Sequence, residues 1–245
     1  MEDSVNLAYF SDARVVMDYA RAAVNVGLWE SEKFLFEKYL PRSTKILELG
    51  CGAGRVALGL SSIGYTDITA TDFAPPMVEI AQEICPRERF GIKFSVADAT
   101  ALSFPEKSFD AVIFAFNGLQ MIPKKERRSQ ALKEIFRVLQ DGGTFIFTGH
   151  DRSLSARREH WEKERERWET GQRDPALDDF GDWNHSTESG TMFIHSADPE
   201  ELRTELEELG FSVLFSELRS RICTEPPIVR DFSDDTRFWV LQKSI

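Results

Sequence analysis

The chain has 245 residues, of which 42% are hydrophobic and 29% charged, as in a folded globular protein of one large domain and unlike a mostly disordered chain. The formal net charge of −11 makes long nucleic acids and acidic membrane surfaces poor partners, because the field of the whole protein repels polyanions. Three widely separated cysteines exclude a disulfide framework and a cysteine-rich zinc site, so a cytoplasmic location is expected. The start of the chain lacks a secretory signal pattern, and the apolar runs are too short to span a bilayer.

Residues 1–40 are predicted to form helices that lie over the core as a lid. Apolar side chains recur at helical spacing from Val15 to Val26, and Gly27 is a natural stop signal. A second helix is predicted over 31–40, where Pro41 ends it.

Residues 41–150 alternate between strand-like and helix-like segments. The predicted strands cover 45–49, 68–71, 92–96, 111–116 and 144–148. The predicted helices cover 55–62, 76–84 and 124–139, and Gly142-Gly143 is expected to end the last of them. This alternation predicts βαβ units and a parallel sheet buried between two helical layers.

The pattern changes after residue 150. Residues 151–196 are predicted to form an insertion that lies over the sheet, with a charged surface helix, a narrow Leu154, Trp161 and Trp168 stripe, and a strand over 191–195. Residues 197–245 resume the regular pattern, beginning with a strong helix start at Asp198-Pro199-Glu200-Glu201. Two last strands, 211–218 and 237–241, are joined by a polar stretch.

A glycine loop follows the first predicted strand, in the order Glu48-Leu49-Gly50-Cys51-Gly52-Ala53-Gly54. Glycines let the backbone turn tightly and approach a ligand, which would lie at the carboxyl edge of the sheet near a helix N-terminus. The dinucleotide fingerprint fails at its third glycine, because that position is Arg55. A tight turn without a ligand is the alternative.

Two aspartates mark the ends of the next strands. Asp72 is placed to accept both hydroxyls of a ribose, although it is also close to the start of a helix. Asp98 is placed to accept the amino group of an adenine while the N–H of Ala99 meets a ring nitrogen, with an ordinary turn aspartate as the alternative. Three such landmarks in order indicate a nucleoside-containing ligand.

These residues resemble the class I S-adenosylmethionine-dependent methyltransferases. The residues that match the family's glycine loop and its acidic positions are Glu48, Gly50, Gly52, Gly54, Asp72 and Asp98. The resemblance implies a doubly wound, Rossmann-like α/β fold with a seven-stranded, mostly parallel sheet and an antiparallel last strand. It implies S-adenosyl-L-methionine as cofactor, bound by the matched residues together with Cys51, Phe73, Ala99 and Phe116.

The resemblance implies methyl transfer by in-line displacement to an oxygen, nitrogen, sulfur or carbon nucleophile of a small molecule. Residues 116–120 lack the Asn/Asp-Pro-Pro-aromatic box typical of nucleic-acid methyltransferases, which disfavours that class. A nicotinamide-dependent oxidoreductase and a nonenzymatic S-adenosylmethionine-binding regulatory module remain alternatives, and the oligomeric state is left open.

Candidate catalytic and substrate residues follow the predicted strands. His150, after strand five, is the candidate general base for a hydroxyl acceptor, with a structural histidine as the alternative. Arg219 and Arg221 are expected to share one face and to bind a carboxylate or phosphate, unless they form salt bridges to Glu217. The other candidate substrate contacts are Asn117, Gln120, His185 and His195. No metal site is predicted.

Overall fold

Strands and helices alternate through the middle of the chain, as the sequence predicts. The computed structural model describes residues 4–154 and 157–244, so the predicted segments 1–40, 151–196 and 197–245 are followed over those residues only. The strands are β1 (Ile46–Leu49), β2 (Ile68–Asp72), β3 (Lys93–Val96), β4 (Phe109–Phe114), β5 (Leu139–Asp151), β6 (Asp182–Thr187), β7 (Gly190–Ala197), β8 (Phe211–Leu218) and β9 (Arg237–Lys243).

The same described residues contain eleven α-helices and one 3₁₀ helix, of which the first three precede β1. They are α1 (Ser4–Ser11), α2 (Ala13–Asn25), α3 (Glu30–Tyr39), α4 (Arg55–Ser62), α5 (Pro75–Ile84), α6 (Arg87–Phe90), the 3₁₀ helix (Gly118–Met121), α7 (Lys125–Val138), α8 (Arg158–Glu169), α9 (Pro199–Glu208), α10 (Arg219–Ile222) and α11 (Pro227–Phe232). Over the described residues, no helix combines the length and apolar character needed to cross a membrane.

Seven strands form the predicted sheet, in the order β3-β2-β1-β4-β5-β9-β8. β1 to β5 are parallel, and β9 runs antiparallel between β5 and β8. This confirms the Rossmann-like class and the antiparallel last strand. The strand order reverses at β1, which has β2 on one side and β4 on the other, and ligands of open α/β sheets bind at such a switch point.

Apolar side chains cover both faces of the sheet. Ile46 of β1 joins a cluster with α3 and α4, whereas Leu47 and Leu49 join a second cluster with α7 and α9. Successive residues of a strand point to opposite faces, so a run that is buried throughout belongs between two helical layers. The predicted two-layer burial is therefore present.

The prediction that Gly142-Gly143 ends the helix before strand five is wrong. α7 ends at Val138, and both glycines lie within β5. The β4–β5 pairing jumps from Phe109–Leu139 to Ala111–Thr144, and Gly142 has a left-handed φ of +75° in this interval. The glycines thus allow the extra residues of a bulge rather than a helix end.

The insertion contains a hairpin of which the sequence indicated only one strand. β6 pairs antiparallel with β7, and β7 pairs with β5 only at His150–Ser196 and Asp151–Ala197. The hairpin therefore adds β7 and β6 to the sheet beside the carboxyl end of β5. Between β8 and β9, the predicted polar stretch contains the short helices α10 and α11.

Candidate active site

A cavity of about 320 Å³ lies at the carboxyl edge of the sheet. The glycine loop, the ends of β2, β3 and β4, and helices α1 and α2 enclose it. The predicted cofactor residues that line it are Glu48, Gly50, Cys51, Gly52, Asp72, Phe73, Asp98, Ala99 and Phe116. Gly54 is outside the lining and packs against the Phe94 ring, which a Cβ at this residue would approach to 3.2 Å.

The glycine loop cannot carry side chains at its first two glycines. Gly50 and Gly52 have φ of +60° and +52°, which L side chains rarely adopt. A Cβ on Gly50 would lie 2.7 Å from the ring of Phe114, and one on Gly52 would lie 3.1 Å from the ring of Tyr19. The loop therefore presents bare backbone to the cavity, beneath Tyr19 of α2.

Asp72 closes the loop and still has acceptor capacity. Its Oδ2 accepts a hydrogen bond from the Gly52 N–H at 2.8 Å, and its Oδ1 accepts one from the Ala74 N–H at 2.9 Å. Burial raises the pKa of Asp72 to about 6, against the lowering effect of these backbone donors. Each carboxylate oxygen has more than one acceptor site, so a ligand hydroxyl can still be bound.

Glu48 is a buried carboxyl with an unmet oxygen. Its Oε2 has no hydrogen-bond partner among the described residues, although the side chain lines the cavity. Burial raises the pKa of Glu48 to about 8, and the nearby Arg55 opposes this shift. An orphaned buried polar atom is uncommon, and a polar group of a bound ligand would satisfy it.

Asp98 is held in place from two sides. Its Oδ1 accepts from the backbone N–H and the hydroxyl of Thr100, both at 2.8 Å, so the predicted turn role is present. Its Oδ2 accepts from Nη2 of Arg127 at 3.0 Å, and both residues line the cavity. The turn thus fixes a carboxylate at the cavity edge that a ligand amino group can reach.

The backbone after β4 is strained where it meets the cavity. Phe116 and Asn117 have φ of +51° and +64°, two successive non-glycine residues in the left-handed region. Phe116 lines the cavity, whereas the Asn117 Nδ2 lies 3.3 Å from Nε2 of His150. This turn therefore places the Phe116 side chain at the cavity and the Asn117 side chain beside His150.

His150, the predicted general base, does not line the cavity. Burial lowers the pKa of His150 to about 4, and the charge of Arg157 adds to the effect. Its backbone is clamped by Gln120, which donates to the His150 carbonyl at 3.1 Å and accepts from its N–H. Asn117 and Gln120 are likewise outside the cavity lining, so the predicted base and its two neighbours lie together away from the cavity.

His185 and His195 also lie away from the cavity. His185 is exposed on β6, edge-to-face with Trp183. His195 is buried, with Nδ1 2.8 Å from Oδ1 of Asp182. Burial lowers the pKa of His195 to about 3, with Arg128 adding to the effect. Arg128 also forms ion pairs with Asp179 at 2.7 Å and Asp182 at 3.3 Å, so a guanidinium neutralises this acidic group.

The prediction that Arg219 and Arg221 share a face is wrong, because they lie on the helix α10 rather than on a strand. Arg219 is buried and donates to the carbonyls of Val229 and Ser233 at 3.3 and 2.7 Å. Arg221 is exposed and forms the alternative salt bridge to Glu217 at 3.4 Å. Neither residue lines the cavity.

Residues of the predicted 1–40 lid line the cavity, but the sequence did not single out Asn6, which holds this segment in place. Asn6 is only 2% exposed and lines the cavity, where its Nδ2 donates to the Met121 and Phe193 carbonyls at 2.5 and 3.1 Å. Its Oδ1 accepts from the Phe193 N–H at 2.8 Å. No described residue of 151–196 lines the cavity, so the insertion holds α1 in place instead of covering the ligand crevice itself.

The cavity fits the cofactor that the resemblance implies. Bare loop backbone, the unmet oxygen of Glu48 and the carboxylates of Asp72 and Asp98 lie in the order that an amino acid, a ribose and an adenine require. The lining also contains the Phe73 ring, next to Asp72. These groups come from three neighbouring parallel strands, whose carboxyl ends share one edge.

Comparison with known proteins matches a family model to the part of the chain that contributes most of the cavity lining. A family model described as a methyltransferase domain matches residues 46–143. The chain is 34% identical over 141 residues to a demethylmenaquinone methyltransferase from Thermus thermophilus, covering 57% of this chain and 56% of the relative. It is 29% identical over 148 residues to a 2-methyl-6-phytyl-1,4-hydroquinone methyltransferase from Synechocystis, covering 59% of this chain and 43% of the relative.

A solved structure shares the fold over most of the chain. An S-adenosylmethionine-dependent methyltransferase from Methanosarcina mazei superposes with a TM-score of 0.69 at 21% identity, covering 89% of this chain and 99% of that one. This similarity shows the fold. The chain spans only about half the length of the two curated relatives that it matches.

Proposed function

We propose that the chain is a class I S-adenosylmethionine-dependent methyltransferase, which transfers a methyl group from S-adenosylmethionine to a small-molecule nucleophile; the match of residues 46–143 to a methyltransferase domain supports this. The observation that carries the proposal is the cavity, in which the glycine loop, Asp72 and Asp98 stand at the ends of three adjacent strands. The names of two relatives, which describe quinone and hydroquinone methyltransferases, support a small organic acceptor.

In this proposal each part of the cavity has a separate task. The bare backbone at Gly50 and Gly52, with Glu48, holds the amino-acid part of the cofactor. Asp72 accepts hydrogen bonds from the ribose hydroxyls, while Asp98 and the N–H of Ala99 meet the adenine. When bound, S-adenosylmethionine supplies a methyl group already activated by its sulfonium leaving group.

The chain's own contribution to the transfer is positioning and exclusion of water. α1 and α2 cover the cavity, so the acceptor is held in line with the transferred group in a dry site. No histidine lines the cavity among the described residues. This favours an acceptor that reacts without a histidine base.

The proposal also includes a cytoplasmic location and no nucleic-acid partner. The net charge of −11 supports the second part, since it repels polyanions. A nicotinamide oxidoreductase is a weaker candidate, because the position of the third dinucleotide glycine is occupied by Arg55, which forms a buried ion pair with Glu32.

The first prediction tests the cofactor site through Asp72→Asn. This variant keeps the shape of the side chain but removes its charge. Hydrogen bonds to charged groups contribute roughly 1.5–3 kcal/mol, so the affinity for S-adenosylhomocysteine should fall about ten- to hundred-fold. Isothermal titration calorimetry measures it.

Asp67→Asn is the matched control, since Asp67 is half exposed and lies 3.8 Å from Lys93 at the other end of β2. Its affinity should equal that of the wild type. Unchanged binding in Asp72→Asn would remove the ribose assignment. Binding of NAD in place of S-adenosylhomocysteine by the wild type would favour the oxidoreductase.

A further inference from the structure

The connection between β8 and β9 reaches the cavity. The sequence shows a polar stretch there, but the structure contains α11, and Phe232 at its end lines the cavity. The Phe232 ring stacks on that of Phe116, with centroids 5.0 Å apart and an angle of 12° between the planes. Two segments more than a hundred residues apart in the sequence thus build one surface.

The Phe116 ring also contacts two further aromatic rings edge-to-face. Its centroid lies 5.9 Å from that of Trp29 and 6.0 Å from that of Tyr19. Tyr19, Phe116 and Phe232 line the cavity, and the fully buried Trp29 packs against Phe116. We call the three lining residues the aromatic wall.

The topology separates the aromatic wall from the nucleoside-binding residues. Asp72 and Asp98 follow β2 and β3, on one side of β1. Phe116 follows β4, which is the neighbour of β1 on the other side. A ligand held by the two aspartates therefore leaves the β4 side of the cavity for a second molecule.

The two arginines that line the cavity, Arg55 and Arg127, are paired with carboxylates. Arg55 forms a two-pronged ion pair with the buried Glu32, at 2.6 and 2.7 Å, and its guanidinium lies 4.7 Å from the ring of Trp29. Arg127 is paired with Asp98 on the nucleoside side. The wall therefore offers ring faces and edges rather than a cation, and a flat ring can stack on such faces or meet them edge-to-face.

Arg219 fixes the position of α11. It donates to the carbonyls of Val229 and Ser233 at the end of this six-residue helix, and it lies 5.0 Å from the ring of Trp29. A helix this short is not stable alone, so these bonds determine where Phe232 lies.

We propose that Phe116 and Phe232 bind the methyl acceptor and select a flat, uncharged ring system, and that Arg219 is a positioning residue for Phe232. This inference rests on the proposed function, because it assigns the nucleoside side of the cavity to the cofactor. It replaces the expectation of an anionic acceptor held by Arg219 and Arg221, and it assigns Phe116 to the acceptor instead of to the cofactor.

The experiment uses the full chain saturated with S-adenosylhomocysteine and two probes with the same skeleton. 2-Naphthol is flat, whereas decahydro-2-naphthol is puckered. Calorimetry should show that the wild type binds the flat probe at least tenfold more tightly. Phe232→Leu keeps an apolar side chain without a ring, so this ratio should fall below threefold while S-adenosylhomocysteine affinity stays within twofold.

Ile228→Leu is the matched control on α11, because Ile228 is 45% exposed and does not line the cavity, so the ratio should not change. Phe116→Leu provides a second, independent test of the ratio. Arg219→Met should lower the ratio, and Arg219→Lys should partly restore it. A purely structural arginine would instead weaken both probes equally and leave the ratio unchanged.

Different outcomes would overturn the proposed function and the role of the aromatic wall. Absence of S-adenosylhomocysteine binding in the wild type would overturn the proposed function. Normal S-adenosylhomocysteine binding with equal affinity for both probes, or a ratio that survives in Phe232→Leu and Phe116→Leu, would overturn the aromatic wall alone.

Discussion

At the scale of single residues, Glu48 shows a conflict between folding and ligand binding. A buried carboxyl with an unmet oxygen costs stability, and a bound ligand that donates a hydrogen bond to it would offset that cost. Burial raises the pKa of Glu48 in the folded state to about 8, from an ordinary value of 4.5. The folded state therefore holds a proton between these pH values that the unfolded state has released, and the stability that this proton contributes is lost as the pH rises through the interval.

The second prediction follows from this loss of stability with rising pH. Glu48→Gln carries a permanently neutral group, so its free energy of unfolding should exceed that of the wild type by roughly 3–5 kcal/mol at pH 9 and by much less at pH 5. Urea denaturation at both pH values measures it. Glu83→Gln, on the exposed face of α5, is the control and should show no such difference. If the free energies of unfolding of Glu48→Gln and the wild type changed equally with pH, burial would not raise the pKa of Glu48.

At the scale of elements, α1 depends on a single polar side chain. Its eight residues are too few for a stable isolated helix. Asn6 binds both backbone groups of Phe193 on β7 and the carbonyl of Met121, so the insertion and the 3₁₀ helix anchor the cover of the cavity.

The third prediction is that Asn6→Ala loosens this cover. The variant leaves buried backbone groups of β7 unsatisfied, so hydrogen exchange in residues 4–25 should become at least tenfold faster. S-adenosylhomocysteine should also dissociate several-fold faster. Asn184→Ala, an exposed asparagine on β6, is the control for the hairpin. Unchanged exchange in α1 would show that apolar packing alone holds it.

The elements that the sequence predicted are those with a local signal. Helix α4 and strand β8 begin and end where the sequence predicts, because glycine loops, caps and apolar runs mark such boundaries locally. β6 was missed because its polar sequence becomes a strand only by pairing with β7, and α11 was missed because its six residues depend on hydrogen bonds from Arg219. The cofactor residues were predictable because each ends a strand, whereas Asn6 and Phe232 enter the cavity through tertiary packing.

At the scale of the whole molecule, one buried ion pair joins the N-terminal helices to the glycine loop. Arg55, which the sequence showed only as a missing glycine, begins α4 and binds Glu32 of α3 and the carbonyl of Gly27. Glu225, before α11, accepts from two backbone N–H groups at the start of α3, Glu30 and Ser31. Segments from three parts of the chain thereby enclose one cavity.

The fourth prediction concerns this ion pair. Arg55→Met should destabilise the protein by about 3–5 kcal/mol, because it leaves the Glu32 carboxylate buried without its partner. Adding Glu32→Leu should recover most of the loss, since no unpaired charge then remains. Lys163→Ala, which breaks the exposed pair with Glu159 on α8, should change stability by less than about 1 kcal/mol. Urea unfolding of these three variants and of the single Glu32→Leu variant decides it, and additive effects of Arg55→Met and Glu32→Leu would refute the coupling.

The position of β9 has a consequence for how the protein is made. β9 pairs with β5 from Thr144–Gln242 to Gly149–Arg237, partners about 90 to 100 residues apart in the chain. During synthesis on the ribosome, β1 to β5 emerge and can assemble long before β9 is available. The edge of β5, with its large apolar side chains Phe145 and Phe147, then stays open on the nascent chain. Such an edge invites pairing with other chains, so the seconds before β9 is made are the period in which this protein most needs a chaperone.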